Sequence, residues 1–262
     1  MLLLDNETPF FARRGLIMRI KKEKMNVSYR ETKLFFEKRA RKFQMDNPYS
    51  VTMYQDNHPD LVKERNWKEV QKLLPLLKLK EDTRVLDVAC GIGRWADALP
   101  DFIEEYCGVD FSEELIDIAA KRNKKENFSF YIGAANEIEH VLEANGKNRY
   151  NRILMIGIFL YLNDSDIIQT LEQVERVCEE HAIICIREPI GISERLTLKD
   201  FFSEELDDYY NAIYRTRNEL KDFLKRALLD KGFRIVEENF LFEEDKLNNR
   251  KETAQYYYIL ER

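Results

Sequence analysis

The 262-residue sequence lacks several features that would assign it to a special class of protein. No run approaches the roughly eighteen consecutive apolar residues of a membrane span. Basic residues are not in excess, because the net charge is −6, so no general positive field would attract a nucleic-acid backbone. The opening Met-Leu-Leu-Leu is too short for a secretory signal, and Asp5 and Glu7 follow it closely. These absences predict a soluble, cytoplasmic protein with no membrane or nucleic-acid partner.

The sequence is also poor in cysteine and histidine, with four cysteines and three histidines. In a protein without an export signal we expect the cysteines to be reduced. Cys178, His181 and Cys185 have a spacing that three zinc ligands could share. However, Cys178 follows a predicted helix, Cys185 lies in an apolar strand, and no fourth ligand is evident. We therefore expect buried thiols and no metal site.

The sequence predicts three segments, with no linker rich in proline, glycine and serine between them. Residues 1–27 are expected to form an N-terminal extension, and residues 28–80 a helical cap. The cap should contain a helix over 29–43 and a second helix that Asp60 caps and that turns an apolar stripe inward. Residues 81–262 should form the main domain, interrupted by an aromatic and acidic insert over 187–215. The predicted stripe comprises Leu61, Val62, Trp67, Val70, Leu73 and Leu74.

From residue 83 onward, short apolar segments alternate with segments of helical periodicity. This alternation predicts an α/β fold, in which a doubly wound, mostly parallel sheet has helices on both faces. Thr216 and Glu219 have the spacing of a capping box and predict a helix after the insert. Two last strand-like segments, separated by a charged loop, predict an antiparallel hairpin at the C-terminus. The seven predicted strands cover residues 84–88, 104–109, 128–131, 152–156, 182–186, 233–242 and 255–260.

Residues 85–96, VLDVACGIGRWA, are the most informative stretch. An apolar strand reaches Asp87 and leads into Gly91 and Gly93. Glycine permits a sharp turn and lets a ligand lie against the backbone, and a helix after the loop would direct free N–H groups at that ligand. The next strand ends in Asp110, whose carboxylate can accept hydrogen bonds from both hydroxyls of a ribose. The pattern predicts a site for a nucleoside cofactor.

From about residue 82 to the C-terminus, these motifs resemble those of the class I S-adenosylmethionine-dependent methyltransferases. Residues 86–94 are similar to the family's glycine-rich motif, with Ala89 where many members have the first glycine. The resemblance implies a Rossmann-like sheet of seven strands, S-adenosylmethionine as cofactor and S-adenosylhomocysteine as product. Residues 133–138 correspond to the adenine contacts, although Ala134 occupies a position where members often have an aspartate. The cofactor-binding residues implied are Asp87, Ala89, Cys90, Gly91, Gly93, Arg94, Asp110, Phe111, Ser112, Ala135, Asn136, Glu137, Ile156 and Gly157.

Two other classes stay open. Residues 91–96 also fit the dinucleotide fingerprint G-x-G-x-x-A, and Asp110 follows Gly93 at close to the expected spacing. Against an NAD-dependent oxidoreductase, Asp87 would repel a pyrophosphate. Tyr29 and Lys33, the only pair with reductase spacing, also precede the loop instead of following it. The third class is a catalytically silent binding subunit with the same fold.

Methyl transfer from a sulfonium is an in-line displacement, so the protein must align the acceptor and, where needed, remove its proton. The acceptor pocket should lie beyond the carboxyl ends of the strands. There, Glu188 is the expected base and Tyr161 the expected positioning residue, while His58 is a second candidate base because histidine titrates near neutrality. The aromatic insert and the lack of net positive charge favour O- or N-methylation of a small metabolite, such as a sugar, a nucleotide-linked sugar or a natural-product intermediate. Methylation of a protein or peptide is the alternative, because the acidic residues 204–208 and 243–245 could attract a basic peptide.

Overall fold

The computed structural model describes residues 18–248 and 250–262, so most of the predicted extension over 1–27 lies outside the described residues. The strands are β1 (Met18–Lys21), β2 (Arg84–Val88), β3 (Glu105–Asp110), β4 (Phe128–Ile132), β5 (Tyr150–Ile156), β6 (Cys178–Gly191), β7 (Leu196–Ser203), β8 (Asp208–Tyr214), β9 (Arg234–Phe240) and β10 (Thr253–Glu261). The α-helices are α1 (Tyr29–Arg41), α2 (Ser50–Met53), α3 (Pro59–Leu73), α4 (Glu113–Arg122), α5 (Ile138–Ala144), α6 (Asp164–Val177) and α7 (Arg217–Ala227).

Seven strands form the main sheet in the order β4-β3-β2-β5-β6-β10-β9. The strands from β4 to β6 in this order are parallel, whereas β10 runs antiparallel to both β6 and β9. This confirms the prediction of a doubly wound, mostly parallel α/β sheet with an antiparallel C-terminal hairpin. The strand order reverses between β2 and β5, and at such a switch point an open α/β sheet leaves a crevice for a ligand.

Alternate residues of the central strands enter two apolar cores on opposite faces of the sheet, because successive side chains of a strand point to opposite sides. Leu86 of β2 packs in the core with α5, α6 and α7, whereas Val85 packs in the core with the end of α3. Cys178 and Cys185 are buried in different cores, and His181 is exposed. The two thiols therefore pack as small apolar groups on opposite sides of the sheet and do not converge with His181.

The segment over 187–215 contributes to both sheets of the protein. β6 continues to Gly191, and beyond it β7 and β8 form an antiparallel hairpin on which β1 pairs. Phe35 and Phe36 of α1 pack against this small sheet beside Tyr210. The aromatic residues of the insert thus build a third core between the small sheet and the cap. None of the described helices combines the length and the apolar character that crossing a bilayer requires.

Two predicted helix starts had different outcomes. The capping box of α7 is confirmed, since Thr216 Oγ1 accepts from the N–H of Glu219 and the Glu219 carboxylate accepts from the N–H of Thr216. The cap at Asp60 is wrong, because α3 begins at Pro59 with His58 at the N-cap position. Proline suits the first helical position, since it has no N–H that needs a partner there.

The inward face of α3 also differs from the predicted stripe. Trp67 is 60% exposed, whereas Arg65 and Glu69 are only 4% and 1% exposed. These two residues and the buried Val62 and Leu73 lie at helical spacing on one face of α3. The helix therefore directs two charged side chains into the protein.

Candidate active site

Two adjoining cavities lie where the parallel strands end, beside the switch between β2 and β5. The larger cavity has a volume of about 330 Å³ and the smaller one about 110 Å³. Both cavities share a common wall. It is formed by Thr52, Ala89, Ile156, Gly157 and Tyr161.

The loop after β2 makes a turn that favours small residues. Ala89, Gly91 and Gly93 have φ angles of 62°, 55° and 71°. A Cβ on Gly91 would lie 2.8 Å from Cγ2 of Thr52, so α2 packs directly on the loop. A residue with a Cβ adopts this left-handed conformation at a cost of about 1–2 kcal/mol. Ala89 adopts this conformation at that cost, and its side chain places only a methyl group at the common wall.

The loop does not lead into the expected helix. A 3-10 helix of three residues, Ala96–Ala98, follows it, and Trp95 packs into the core. The prediction that a helix over 95–99 directs N–H groups at the ligand is therefore wrong. Because a pyrophosphate binds best at such a helix N-terminus, this difference disfavours a dinucleotide.

Asp110, the last residue of β3, is hydrogen-bonded to the loop after β2. Its Oδ2 accepts from the N–H of Gly91 at 2.9 Å, and its Oδ1 accepts from the N–H of Ser112 at 3.0 Å. Each oxygen keeps a second lone pair, and the side chain lines the larger cavity. Burial raises the pKa of Asp110 to about 6, and the hydrogen bonds from these N–H groups oppose the rise. At neutral pH the carboxylate can therefore accept two further hydrogen bonds.

Asp87 lies under the loop and is only 2% exposed. Its Oδ2 accepts from the hydroxyl of Tyr106 at 2.8 Å. Burial raises the pKa of Asp87 to about 7, although the hydrogen bond from Tyr106 and the nearby Arg94 lower it. Because it lines the smaller cavity, Asp87 can accept from an amino group presented near the common wall.

One part of the lining of the larger cavity is mostly apolar. It is lined by Phe111 and by residues 133–136 after β4, and α1 covers it. The rings of Phe36 and Phe111 meet edge to face, with their centroids 6.0 Å apart. Such a surface suits the face of a purine ring. The lining residues from α1 are Tyr29, Thr32, Lys33 and Phe36.

The predicted cofactor-binding residues fall into three groups. Arg94, Asp87 and Cys90 line only the smaller cavity. Gly93, Ser112 and Glu137 line neither: Gly93 turns the chain beside Asn123, Ser112 caps α4 and Glu137 is exposed. The others line the larger cavity, and these are Ala89, Gly91, Asp110, Phe111, Ala135, Asn136, Ile156 and Gly157.

Glu188, the expected base, is buried beside the turn at 158–160. Its Oε1 accepts from the N–H groups of Ile158 at 2.7 Å and Phe159 at 2.9 Å, and its Oε2 accepts from that of Leu160 at 3.4 Å. Burial raises its pKa to about 7, against the lowering effect of these N–H groups and of Arg187. Glu188 lines neither cavity. The geometry supports a role in positioning this turn and does not support the predicted role as base.

The other two catalytic candidates occupy different places. The Tyr161 hydroxyl is hydrogen-bonded to that of Tyr54, and its ring meets Phe36 edge to face at a centroid distance of 5.0 Å. Tyr161 also lines both cavities, and its role in positioning the acceptor stays a prediction. His58 is exposed at the start of α3 and lines neither cavity.

The smaller cavity contains a charged cluster that the sequence analysis missed. Glu69 binds Arg94 through Oε1 at 2.5 Å and Arg187 through Oε2 at 2.9 Å. Arg65, one helical turn before Glu69, lines the same cavity. The only signal in the sequence is the spacing of Arg65 and Glu69, and on an exposed helix that spacing marks an ordinary surface pair.

The strand order and the adjoining cavities define a Rossmann-like fold of the class I methyltransferase type, and solved structures agree. A SAM-dependent methyltransferase from Leishmania major is similar at 15% identity and a TM-score of 0.58, over 86% of this chain and 82% of that one. Phosphoethanolamine N-methyltransferase 1 of Haemonchus contortus gives 19% identity and a TM-score of 0.63, over 90% of this chain and 50% of that one. Magnesium protoporphyrin IX methyltransferase from Synechocystis gives 11% and 0.53, over 78% and 83%. At these identities the likeness shows the fold alone.

Residues 85–181 match a family model described as a methyltransferase domain. No curated protein matches the chain. The family match agrees with the resemblance seen in the sequence: residues 85–181 are similar to a methyltransferase domain, the fold is of the class I type, and S-adenosylmethionine is the methyl donor of that enzyme class.

Proposed function

We propose that the protein transfers the methyl group of S-adenosylmethionine to an oxygen or nitrogen atom of a small metabolite, such as a sugar, a nucleotide-linked sugar or a natural-product intermediate. One observation carries this proposal: the two cavities share a wall at the carboxyl ends of the strands. The larger cavity is assigned to the methyl donor and the smaller one to the acceptor. In that arrangement the methyl group and the nucleophile meet at Ala89, Gly157 and Tyr161.

The residues of the larger cavity fit the donor. Asp110 has lone pairs for the ribose hydroxyls, Phe111 offers an apolar surface to the adenine, and Gly91, which has no side chain, lines the cavity with its backbone. When bound, S-adenosylmethionine supplies a methyl carbon that is already activated for displacement. The chain itself must hold the two reactants in line and exclude water.

Tyr161 and Tyr54 are suited to orient the nucleophile. One hydroxyl of the pair donates to the other, so the pair keeps a free proton and acceptor lone pairs beside the common wall. Burial raises the pKa of Tyr54 well above its ordinary value. Tyr54 therefore stays protonated at neutral pH, and the pair serves to align an acceptor.

The contacts of the acidic segments favour a small acceptor over a basic peptide. Asp208 pairs with Lys38 at 2.8 Å, and Glu205 binds the side chain of Gln55 at 3.1 Å. Glu244 likewise pairs with Lys68. The charges of Asp208 and Glu244 are thus already paired with lysines of the protein, so these two carboxylates are less available to a basic peptide.

The test of the donor site is the affinity for S-adenosylhomocysteine, measured by calorimetry. We expect Asp110→Ala to weaken binding at least tenfold, about 1.4 kcal/mol, because the ribose loses its acceptor and Gly91 loses its anchor. Asp117→Ala, which removes an exposed carboxylate from α4, is the matched control and should bind as wild type. An unchanged affinity in folded Asp110→Ala would contradict the assignment of the ribose site.

The site of Asp110 should also make cofactor binding depend on pH. Burial places the pKa of Asp110 at about 6. Lowering the pH from about 7.5 to about 5 therefore protonates the carboxylate that accepts from the ribose, and it should weaken the binding of S-adenosylhomocysteine. The unliganded protein should become more stable over the same range, because its buried carboxyl groups take up protons before the unfolded chain does. Binding and stability changing in parallel would instead indicate acid unfolding.

The acceptor is sought by incubating the protein with methyl-labelled S-adenosylmethionine and a pool of metabolites, followed by detection of the labelled product. Label in a small metabolite would support the proposal, and label in a peptide would favour the alternative acceptor. Tight cofactor binding with no labelled product would indicate a catalytically silent subunit.

A further inference from the structure

Arg65 differs from the other cations of the smaller cavity. It lies on the inward face of α3, is 4% exposed, and lines the smaller cavity but not the larger one. Among the described residues it has no ion-pair partner within 4 Å and no hydrogen-bond acceptor, and its Nε is fully buried without one. An arginine side chain in this position is a buried charge without a partner.

Its neighbours do not supply that partner. Both carboxylate oxygens of Glu69 are occupied by Arg94 and Arg187, and Oε1 also accepts from Trp95 Nε1 at 3.2 Å. The negative charge of Glu205 acts on Arg65 from a distance, but the Glu205 carboxylate binds Gln55. The carboxylate of Glu69 is therefore shared between the other two guanidinium groups.

The charges that line the smaller cavity sum to an excess of positive charge. Arg65, Arg94 and Arg187 face Glu69 and Asp87. Burial of an unpaired charge is strongly unfavourable unless a partner of opposite charge joins it. A guanidinium also stays protonated and has planar, paired donors that match the oxygens of a carboxylate or phosphate.

We propose that Arg65 binds an anionic group, a carboxylate or a phosphate, on the methyl acceptor. This inference rests on the proposed function, in which the smaller cavity takes the acceptor. Because Arg65 and Tyr161 line the same small cavity, an acceptor held at its anionic end by Arg65 can present its nucleophile at the common wall. The acceptor class thereby narrows to small acids and phosphate esters.

The experiment uses the full chain saturated with S-adenosylhomocysteine, into which inorganic phosphate or acetate is titrated by calorimetry at constant ionic strength. We expect wild type to bind at least one of these anions, and Arg65→Met to bind it at least tenfold more weakly. Lys63→Met, which removes an exposed cation from the same helix, should match wild type. Preference for phosphate would indicate a phosphate ester, and preference for acetate a carboxylic acid.

Two further measurements separate the explanations. Unliganded Arg65→Met should melt at the same or a higher temperature than wild type, because an unpaired buried charge is replaced by an apolar side chain; a lower melting temperature would contradict the unpaired state. If Arg65→Met loses affinity for S-adenosylhomocysteine itself, Arg65 serves the donor and the inference is overturned. Equal anion binding by wild type and Arg65→Met would also overturn it.

Failure of wild type to bind S-adenosylhomocysteine would be a failure of the proposed function. The anion titration of the unliganded protein would still test Arg65 in that case, with the same expected loss in Arg65→Met. The two proposals can therefore fail separately.

Discussion

The two cavities share a wall, yet the chain builds them in different ways. Most of the larger cavity comes from the loops after β2, β3, β4 and β5, all within residues 89–158, with α1 as its cover. The smaller cavity draws on α2, α3, the strand ends, the insert and the segment 242–255. We call the larger cavity, the proposed donor site, the donor side, and the smaller cavity, the proposed acceptor site, the acceptor side. The donor side is encoded mostly by short local motifs, whereas the acceptor side depends on segments far apart in the sequence. Substitutions on the two sides should accordingly have separable effects.

The largest expected effect comes from the loop of the donor side. Gly91→Ala combines a φ of 55° with a Cβ only 2.8 Å from Thr52 Cγ2. We expect it to weaken S-adenosylhomocysteine binding at least tenfold, about 1.4 kcal/mol, and to lower the free energy of unfolding by about 1–2 kcal/mol or more. Calorimetry and urea denaturation measure the two effects.

Gly146→Ala is the matched control, because Gly146 has a φ of 65° but no atom within 4 Å of an added Cβ. It should have the backbone strain without the crowding, and it should bind the cofactor as wild type. Similar binding by both variants would mean that the contact between α2 and the loop does not shape the donor site.

At the turn behind the common wall, the expected effect is on stability alone, without a loss of cofactor binding. In Glu188→Gln an amide N–H₂ replaces one acceptor oxygen and would face a backbone N–H of the turn at 158–160. We expect a loss of about 1–3 kcal/mol in the free energy of unfolding, measured by urea denaturation. Glu180→Gln, at an exposed position of the same strand, should change stability little. Unchanged stability with abolished methyl transfer would restore Glu188 as the base.

The smallest expected effect is at Ala89. Ala89→Gly relieves a left-handed conformation worth about 1–2 kcal/mol but adds about 0.5–1 kcal/mol of backbone entropy to the unfolded chain. We therefore expect a gain in stability of about 0–1.5 kcal/mol. Ala120→Gly, in the exposed part of α4, should be destabilising by contrast. Equal losses in both variants would show that Ala89 bears no strain.

The sheet and most of the donor side were predictable from the sequence because their signals are local. The central parallel strands are largely apolar runs that end at loops; Asp110 ends β3, and Gly91 lies in the loop after β2. Tyr161 was also predictable as a residue at a strand mouth. These positions follow from which strand a residue ends and require no knowledge of how distant segments pack.

The acceptor side was less predictable because its polar groups are buried by tertiary contacts. Nothing in the sequence distinguishes Arg65 and Glu69, which turn inward, from Trp67, which is exposed. Glu188 was expected just beyond a strand that ends at residue 186, but β6 continues to Gly191, and three N–H groups occupy the Glu188 carboxylate. The helix predicted after the glycine loop does not form, also because of tertiary packing: the chain after Trp95 enters the core and continues as a short 3-10 turn.

The contact between Thr52 and the glycine loop bears on where this protein can be divided. Thr52 belongs to the helical segment before residue 80 but forms part of the wall of both cavities. A fragment that begins at residue 81 would retain the main sheet and Asp110. It would lack α1, which covers the larger cavity, and α3, whose Arg65 lines the smaller one. The N-terminal helices therefore form part of both cavities, and we expect a fragment without them to lose ligand binding at both.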